Sequence, residues 1–379
     1  MERVADYSFT LNISVLKFLG FYPVKSYKVL HKVYACILYT LVMIPVAIFI
    51  VLHFVFAEDR TDFKHNDFVM VAMLLYVCKF FPWLLQSNKF KHCIHYFDQL
   101  YDAVKEHEKH VEDCSAVCRR NSKIFFVGCV SAIFGFVGQA CVNSDELPLN
   151  VWVPTVIRQK PLYYGFIYVL CLLTPSYSAL TTGAIDPLIG GLCYQATVHI
   201  QILQKKLQHL DKDISEQFSS SGLTKSGKIF LRIKKCIRHH QAIQNFVQEF
   251  QDCFSSVVFS QFAGSSLVIG ILCFQMSKVT VGVGFLIMVN DLGVVFFQIL
   301  FYCYYGTLLL EENQNLMNAV YMSRWYEFDI QCRKALIMLM EGSKKPMVVT
   351  AGKLFPLSLD TFTMILRRSY SLVAVLKSY

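Results

Sequence analysis

Charged residues are scarce in this sequence. Only 17% of its 379 residues are Asp, Glu, Lys or Arg, whereas 55% are hydrophobic. A soluble protein of this length must cover its surface with polar side chains, and this composition provides too few of them. The long uncharged stretches therefore predict an all-α integral membrane protein, for which lipid is the better solvent.

The short motifs of catalysis and of metal or cofactor binding are missing as well. The sequence has no GxGxxG, P-loop, HExxH or GxSxG motif, and its 14 cysteines include no CxxC pair. His92 and His95 are three residues apart, yet no acidic residue or cysteine is placed to complete a metal site with them. We therefore expect no enzymatic activity, no cofactor and no metal. The net charge of +9 follows from basic residues on one side of the membrane, so no nucleic-acid binding is expected.

Seven apolar segments have the length of membrane-spanning helices, which need about 20 residues to cross the hydrocarbon core. Lys79 interrupts the second segment, and the fourth runs on through Asp186 to about Leu203. The seventh is the least apolar because it carries Arg367 and Arg368. The predicted spans are 33–57, 68–88, 124–144, 161–185, 253–277, 279–310 and 354–376.

The distribution of Lys and Arg predicts the orientation of these spans. Residues 1–32, 89–123, 205–238 and 311–353 together hold 27 basic residues, whereas the segments on the opposite side hold 6. Basic residues favour the cytoplasmic side, so we expect a cytoplasmic N-terminus and an extracellular C-terminus. Helix-like spacing in residues 89–120, 200–210 and 229–250 predicts that helices 2 to 6 extend below the membrane. The Gly- and Ser-rich residues 219–227 are predicted to form a flexible loop.

Two acidic residues are candidates for a role inside the membrane, where polar groups are costly and often functional. Asp186 precedes Pro187 in the fourth span, and both a structural and a functional role are open for it. Asp291 follows Asn290 in the middle of the sixth span. It could orient a hydroxyl or an amine of a ligand in an apolar pocket, or it could form a hydrogen bond between helices.

The last third of the chain carries an ordered series of distinctive residues. The series is Tyr302 to Gly306, Glu311, Asn315, Ala319, Tyr321, Trp325, Cys332 to Lys334, Met338 to Met340, Pro346, Ala351, Gly352, Phe355, Leu357, Ser358, Phe362, Ser369 to Ser371 and Leu376. It resembles the C-terminal signature of insect odorant receptors, and Lys79, Pro154 and Asp186 agree with that family more loosely. The ending Ser369-Tyr370-Ser371 differs from the Thr-Tyr…Gln-Phe pattern of the sister family, the gustatory receptors. The loop between the fourth and fifth spans is short, which resembles an odorant-tuning subunit and not the shared co-receptor.

This resemblance implies a subunit of a ligand-gated, non-selective cation channel in the plasma membrane of sensory neuron dendrites. Its implied partners are the odorant receptor co-receptor, with which it would form a hetero-oligomer, a tetramer around a central pore, a small volatile odorant, membrane lipids and permeating cations. Residues 1–320 would form six helices with the odorant pocket in the outer half, and residues 321–379 a cytoplasmic anchor and the pore-lining seventh helix. A split of the last segment at Gly342 to Pro346 would give that helix a short cytoplasmic part. Leu372 and Val375 share a helical face and are the candidate gate, or they pack against lipid or other helices.

The resemblance also places the odorant pocket between helices 2, 3, 4 and 6, and depth in the membrane suggests which residues line it. An aromatic cavity with methionine would bind a small apolar or aromatic ligand by burial and shape. Helix packing is the alternative role for each of these side chains. The candidate ligand-binding residues are Ala72, Met73, Tyr76, Phe134, Gly138, Tyr164, Tyr168, Leu172, Ile287, Asn290 and Asp291.

Other classes of membrane protein remain as alternatives. A transporter predicts inverted repeats or paired broken helices, and the sequence displays neither. A G-protein-coupled receptor predicts an extracellular N-terminus and an Asn-Pro-x-x-Tyr motif, but Asn-Pro never occurs and Asp59-Arg60 is followed by Thr. A gustatory receptor-like channel is the nearest alternative.

Overall fold

A computed structural model describes residues 8–22, 28–56, 67–85, 87–102, 108–142, 147–149, 151–153, 160–211 and 224–378. In this part of the chain the regular structure is helical except for one very short hairpin. The helices are α1 (Thr10–Phe18), α2 (Lys28–Phe56), α3 (Asp67–Leu85), α4 (Ser87–Asp102), α5 (Glu108–Val142), α6 (Pro161–Gln208), α7 (Lys225–Met276), α8 (Val283–Met322), α9 (Ile330–Ser343) and α10 (Leu359–Ser378), with a 3₁₀ turn at Trp325–Glu327. The hairpin strands are β1 (Thr350–Ala351) and β2 (Phe355–Pro356), antiparallel, with Thr350 opposite Pro356.

Five of the helices are long and apolar enough to cross a membrane, namely α2 and α5 to α8. The apolar part of α3 is shorter, at Phe68–Lys79. The seventh predicted span is the 20-residue helix α10, in which Arg367 and Arg368 are exposed. Each of the seven predicted segments therefore contains a helix in the described part of the chain, and the all-helical fold class is confirmed.

The starts of the last two predicted spans were wrong. The sixth was expected from Val279, but the helix begins at Val283 after the turn that ends α7. The seventh was expected from 354, but residues 355–356 form β2, whose neighbour Leu357 donates its backbone N–H to the carbonyl of Val349 (2.8 Å). The helix then begins at Leu359, behind Ser358, whose hydroxyl accepts the backbone N–H of Thr361 (3.3 Å). A serine in this position stabilises a helix N-terminus, which apolar patterning alone does not reveal.

The helical extensions predicted beyond the apolar spans are present. Helix α6 has 48 residues and continues through Pro175 and Pro187, and α7 has 52 residues. The predicted loop at 219–227 is only partly covered, because residues 212–223 lie outside the described residues. Helix α7 already begins at Lys225, where the Thr224 hydroxyl accepts the backbone N–H of Gly227. The predicted break at Gly342 to Pro346 is also present, since α9 ends at Ser343.

Helix α1 was not predicted from the sequence, and it packs into the centre of the protein against α6. Ile13 and the preceding residue Phe9 are buried, and the Asn12 amide donates a hydrogen bond to the carbonyl oxygen of Ala184 (2.7 Å). The Phe9 ring occupies the space that a side chain at Gly191 would need. A glycine at 191 is therefore required for this close approach.

The hairpin connects the end of α9 to α10 and is fixed to two long helices. The Gln251 amide on α7 donates to the carbonyl of Thr350 (2.8 Å) and accepts the Thr350 backbone N–H (2.7 Å). Leu357, just after β2, lies directly on Gly306 of α8. Helix α10 then runs along α7, where the Ser369 hydroxyl donates to the carbonyl of Ser266 (3.1 Å). Helix α7 thus contacts α9, β1 and the last helix α10.

Candidate ligand-binding site

Two adjoining cavities of about 200 Å³ and about 140 Å³ lie among α3, α5, α6, α7 and α8. They share wall residues, so together they form one elongated site with two lobes. Their location inside a helix bundle is typical of small-molecule sites. The residues common to both lobes are Phe68, Ala72, Met73, Ala132, Ser178, Ala179 and Asp291.

The walls of this site are mostly apolar and include aromatic and methionine side chains from several helices. Phe68, Met73 and Tyr76 come from α3, Phe136 from α5 and Met288 from α8. Aromatic rings and methionine sulfur bind planar and aliphatic ligands by burial and dispersion, with little directional demand. The site can therefore accept a small, mainly apolar molecule.

A buried ion pair closes one end of the larger lobe. The Lys79 ammonium on α3 lies 2.8 Å from Asp186 Oδ1 on α6, with only 4% and 1% of the side chains exposed. Lys79 also donates to Gln261 Oε1 on α7 (2.8 Å). Tyr302 on α8 donates its hydroxyl to Asp186 Oδ1 (2.6 Å), and Gln298 donates its amide to Asp186 Oδ2. The Asp186 carboxylate therefore connects three helices, α3, α6 and α8, and Lys79 adds the fourth, α7, through Gln261.

This network lowers the cost of placing two charges in an apolar bundle. An unpaired charge in such surroundings is strongly unfavourable, and pairing is favourable only when the remaining polar atoms also find partners. Here the Gln261 amide donates further to Ser265 Oγ and Gln298 Oε1, each at 2.8 Å. Asp186, for which a structural and a functional role were both open, joins the helices at the base of the cavity through these contacts.

Asp291 is the other carboxyl group of the site, and it borders both lobes. It receives a hydrogen bond from the side chain of the adjacent Asn290. The Asn290 oxygen in turn accepts the Ser131 hydroxyl of α5 at 2.9 Å. Residues 291, 294, 295 and 298 of α8 all line the larger lobe, in keeping with the three- and four-residue spacing of one helix face.

The structure brings some of the predicted pocket residues together and places others elsewhere. Ala72, Met73 and Tyr76 of α3 and Ile287 and Asp291 of α8 line the cavities. The remaining six are absent from the walls of both lobes. These are Phe134, which is 74% exposed; Gly138, which is exposed; Tyr164 and Leu172, which are half-buried; Tyr168, whose hydroxyl donates to the Ala140 carbonyl; and Asn290.

The two candidate gate residues have different surroundings in a single subunit. Val375 is 53% exposed. The Leu372 side chain packs on the backbone of α7 at Gly270, where an added Cβ would lie 2.6 Å from Leu372 Cδ2. Their gating role stays a prediction.

Several site residues were not identified from the sequence, above all Gln261, Gln298, Ala132 and Ser178. The two glutamines carried a usable signal, because a polar amide within a long apolar helix is as informative as an acid. Ala132 and Ser178 carried none, since small residues face lipid, neighbouring helices and cavities equally well.

Comparisons with known proteins give a consistent result. The sequence model of the family described as 7tm Odorant receptor matches residues 60–370. Odorant receptor Or1 of Anopheles gambiae is 23% identical, with 98% of this chain and 95% of that protein aligned. Odorant receptor 82a of Drosophila melanogaster is also 23% identical, with 82% of each chain aligned.

Solved structures share the fold. The insect olfactory receptor OR5 from Machilis hrabei superimposes with a TM-score of 0.81 at 14% identity, covering 98% of this chain and 99% of that one. The same receptor in complex with eugenol superimposes with a TM-score of 0.78 at 15% identity, with the same coverage. Neither the transporter, the G-protein-coupled receptor nor the gustatory alternative is favoured by these matches.

Proposed function

This chain belongs to the insect odorant receptor family, and on this premise we propose that it is the odorant-binding subunit of a ligand-gated, non-selective cation channel. The observation that carries the proposal is the two-lobed apolar cavity enclosed by five helices. Its ligand would be a small volatile molecule with an apolar or aromatic body. The related receptor from Machilis hrabei in complex with eugenol, a small aromatic molecule, supports this ligand class.

The proposed assembly is a hetero-oligomer, a tetramer, with the odorant receptor co-receptor in the plasma membrane of sensory neurons. In this arrangement the N-terminus is cytoplasmic and the C-terminus extracellular, as the excess of basic residues favours. Helix α10 would line the pore, and Val375 would be its narrowing residue because its side chain is exposed in the subunit. Leu372 would support the pore helix from behind through its contact with Gly270.

Helix α7 offers a direct route from the ligand to the pore helix. Gly264, Ser265 and Val268 of α7 line the larger lobe. Ser266 and Gly270, on the neighbouring face of the same turns, contact α10. Because packed helices shift as rigid bodies, a ligand that displaces α7 would move α10 with it. We infer that binding biases the pore through this contact.

The test is electrical. Cells that express this chain with the co-receptor are expected to pass a fast cation current when exposed to small volatile compounds, and to pass it when G-protein signalling is blocked. Ala132→Phe places a ring in both lobes, and we expect it to raise the half-maximal odorant concentration at least about fivefold, since overpacking typically costs about 1–3 kcal/mol.

The matched control is Val127→Phe, which changes an exposed residue of the same helix, α5. It should leave the half-maximal concentration near the wild-type value at equal surface delivery. A current that Ala132→Phe and Val127→Phe alter equally would contradict the cavity as the binding site. The absence of any volatile-evoked current, with both chains at the cell surface, would contradict the channel proposal itself.

A further inference from the structure

The two carboxyl groups of the site differ in how their charge is compensated. Asp186 is bound by the Lys79 ammonium, the Tyr302 hydroxyl and the Gln298 amide. For Asp291 the corresponding contact is a hydrogen bond from the neutral amide of Asn290. Among the residues that the structure describes, no Lys, Arg or His lies within ion-pair distance of Asp291. Lys79 lines the larger lobe together with Asp291, but its ammonium forms an ion pair with Asp186.

The Asn290 amide is held in place by a second helix, which fixes how it meets Asp291. Its oxygen accepts the Ser131 hydroxyl of α5 at 2.9 Å, and its nitrogen is the only atom of the amide that can donate to the carboxyl group. An ionised carboxylate has two oxygens and about four lone-pair positions. One amide hydrogen bond therefore leaves most of its accepting capacity available toward the cavities that Asp291 borders.

The surroundings of Asp291 determine which kind of ligand these lone pairs favour. Phe68, Met73 and Met288 line the lobe beside it and cannot stabilise a charge by hydrogen bonding. Isolated carboxylates are costly in such places and are normally paired. A ligand hydroxyl could donate one hydrogen bond but would leave the negative charge in place. A protonated amine would both donate and neutralise it.

From these contacts we propose that the site selects a small monoamine, whose ammonium group pairs with Asp291 and whose alkyl or arylalkyl body fills the apolar lobes. This inference rests on the cavity being the ligand site of the proposed receptor. The aromatic walls favour it further, because rings attract cations as well as apolar groups.

The paired cation at the base of the cavity does not oppose such a ligand. Gln298, which binds Asp186, is seven residues after Asp291 on α8, which corresponds to roughly 10 Å along the helix axis. The Lys79 ammonium is held between Asp186 Oδ1 and Gln261 Oε1, each at 2.8 Å. An ammonium at Asp291 would thus lie about two turns from the compensated pair, with the apolar walls between them.

The test compares two ligands of the same shape, 2-phenylethylamine and 2-phenylethanol, on the full chain expressed with the co-receptor. We expect the wild type to respond to the amine at lower concentration than to the alcohol. Asp291→Asn keeps the size and hydrogen-bonding ability of the side chain but removes its charge. Because hydrogen bonds to charged groups contribute about 1.5–3 kcal/mol, it should raise the half-maximal amine concentration at least about tenfold. The alcohol response should change less than about threefold, and Asp291→Glu should retain the preference for the amine.

Asp329→Asn is the matched control, since it removes the same charge from an exposed position before α9, and it should leave the ratio of the two responses unchanged. A second measurement is independent of channel opening. The amine should raise the melting temperature of the purified wild-type chain, and it should do so much less for Asp291→Asn. The inference is overturned if Asp291→Asn shifts both ligands equally or if the amine neither activates nor stabilises the wild type. A channel that opens to neutral volatiles while failing these tests would refute only the amine preference, and the proposed function would stand.

Discussion

Replacing Lys79 with Met would leave the Asp186 carboxylate without its counter-ion in the least exposed part of the bundle. The pair is separated by 2.8 Å, with 4% and 1% of the two side chains exposed. Two neutral donors, Gln298 and Tyr302, would remain on Asp186; hydrogen bonds to a charged group contribute about 1.5–3 kcal/mol each, but they do not neutralise the charge. Removing one partner of a buried ion pair typically costs about 3–5 kcal/mol. We expect Lys79→Met to be destabilised by about this amount.

The second half of the experiment neutralises the other partner. In the double variant Lys79→Met with Asp186→Asn, no charge is left to desolvate, and the asparagine oxygen can still accept the Tyr302 hydroxyl. Replacement of both members of a buried pair is often close to neutral. The double variant should therefore be more stable than Lys79→Met alone, which is a non-additive result that only direct coupling produces.

The assay is thermal unfolding of the detergent-purified chain, accompanied by measurement of surface delivery in cells. Lys344 and Glu341 provide the control, because their 2.7 Å ion pair is exposed, at 60% and 70% of the side chains. Exposed pairs contribute little to stability, so Lys344→Met should have the same melting temperature as the wild type. The reasoning is refuted if Lys79→Met also has the wild-type melting temperature, or if adding Asp186→Asn lowers the melting temperature further.

The helices of this protein could be predicted because lipid imposes a simple rule on sequence. A spanning segment must be long and apolar, so α2 and α5 to α8 are visible in the pattern of hydrophobic residues alone. Helix α1 escaped this rule. It is only nine residues long. Its partner Ala184 lies 172 positions from Asn12, so no local pattern in the sequence predicts this contact.

The cavity was predicted less well, for a geometric reason. Depth in the membrane selects a turn of a helix, but the rotation of the helix decides which residue of that turn faces inward. On α3 the predicted Ala72, Met73 and Tyr76 do line the cavity, whereas Phe134 on α5 is exposed and Ala132, two residues earlier, lines both lobes. Two residues correspond to about 200° around a helix with 3.6 residues per turn. A composition-based argument cannot resolve such a rotation.

The hairpin that precedes α10 leads to two further predictions. Gly306→Ala should lower the melting temperature, because its Cβ would overlap Leu357 after β2 and overpacking costs about 1–3 kcal/mol. Gly165→Ala, which meets open space on α6, should not lower it. Gln251→Ala removes the hydrogen bonds between the Gln251 side chain and Thr350, leaves the one that the Ser255 hydroxyl donates to the Thr350 carbonyl, and should weaken coupling between the cavity and α10. We expect a smaller maximal current at saturating odorant with little change in the half-maximal concentration, measured at matched surface delivery. An unchanged maximal current would contradict a role for Gln251 in this coupling route, because its bonds to the hairpin would then be dispensable for moving the last helix.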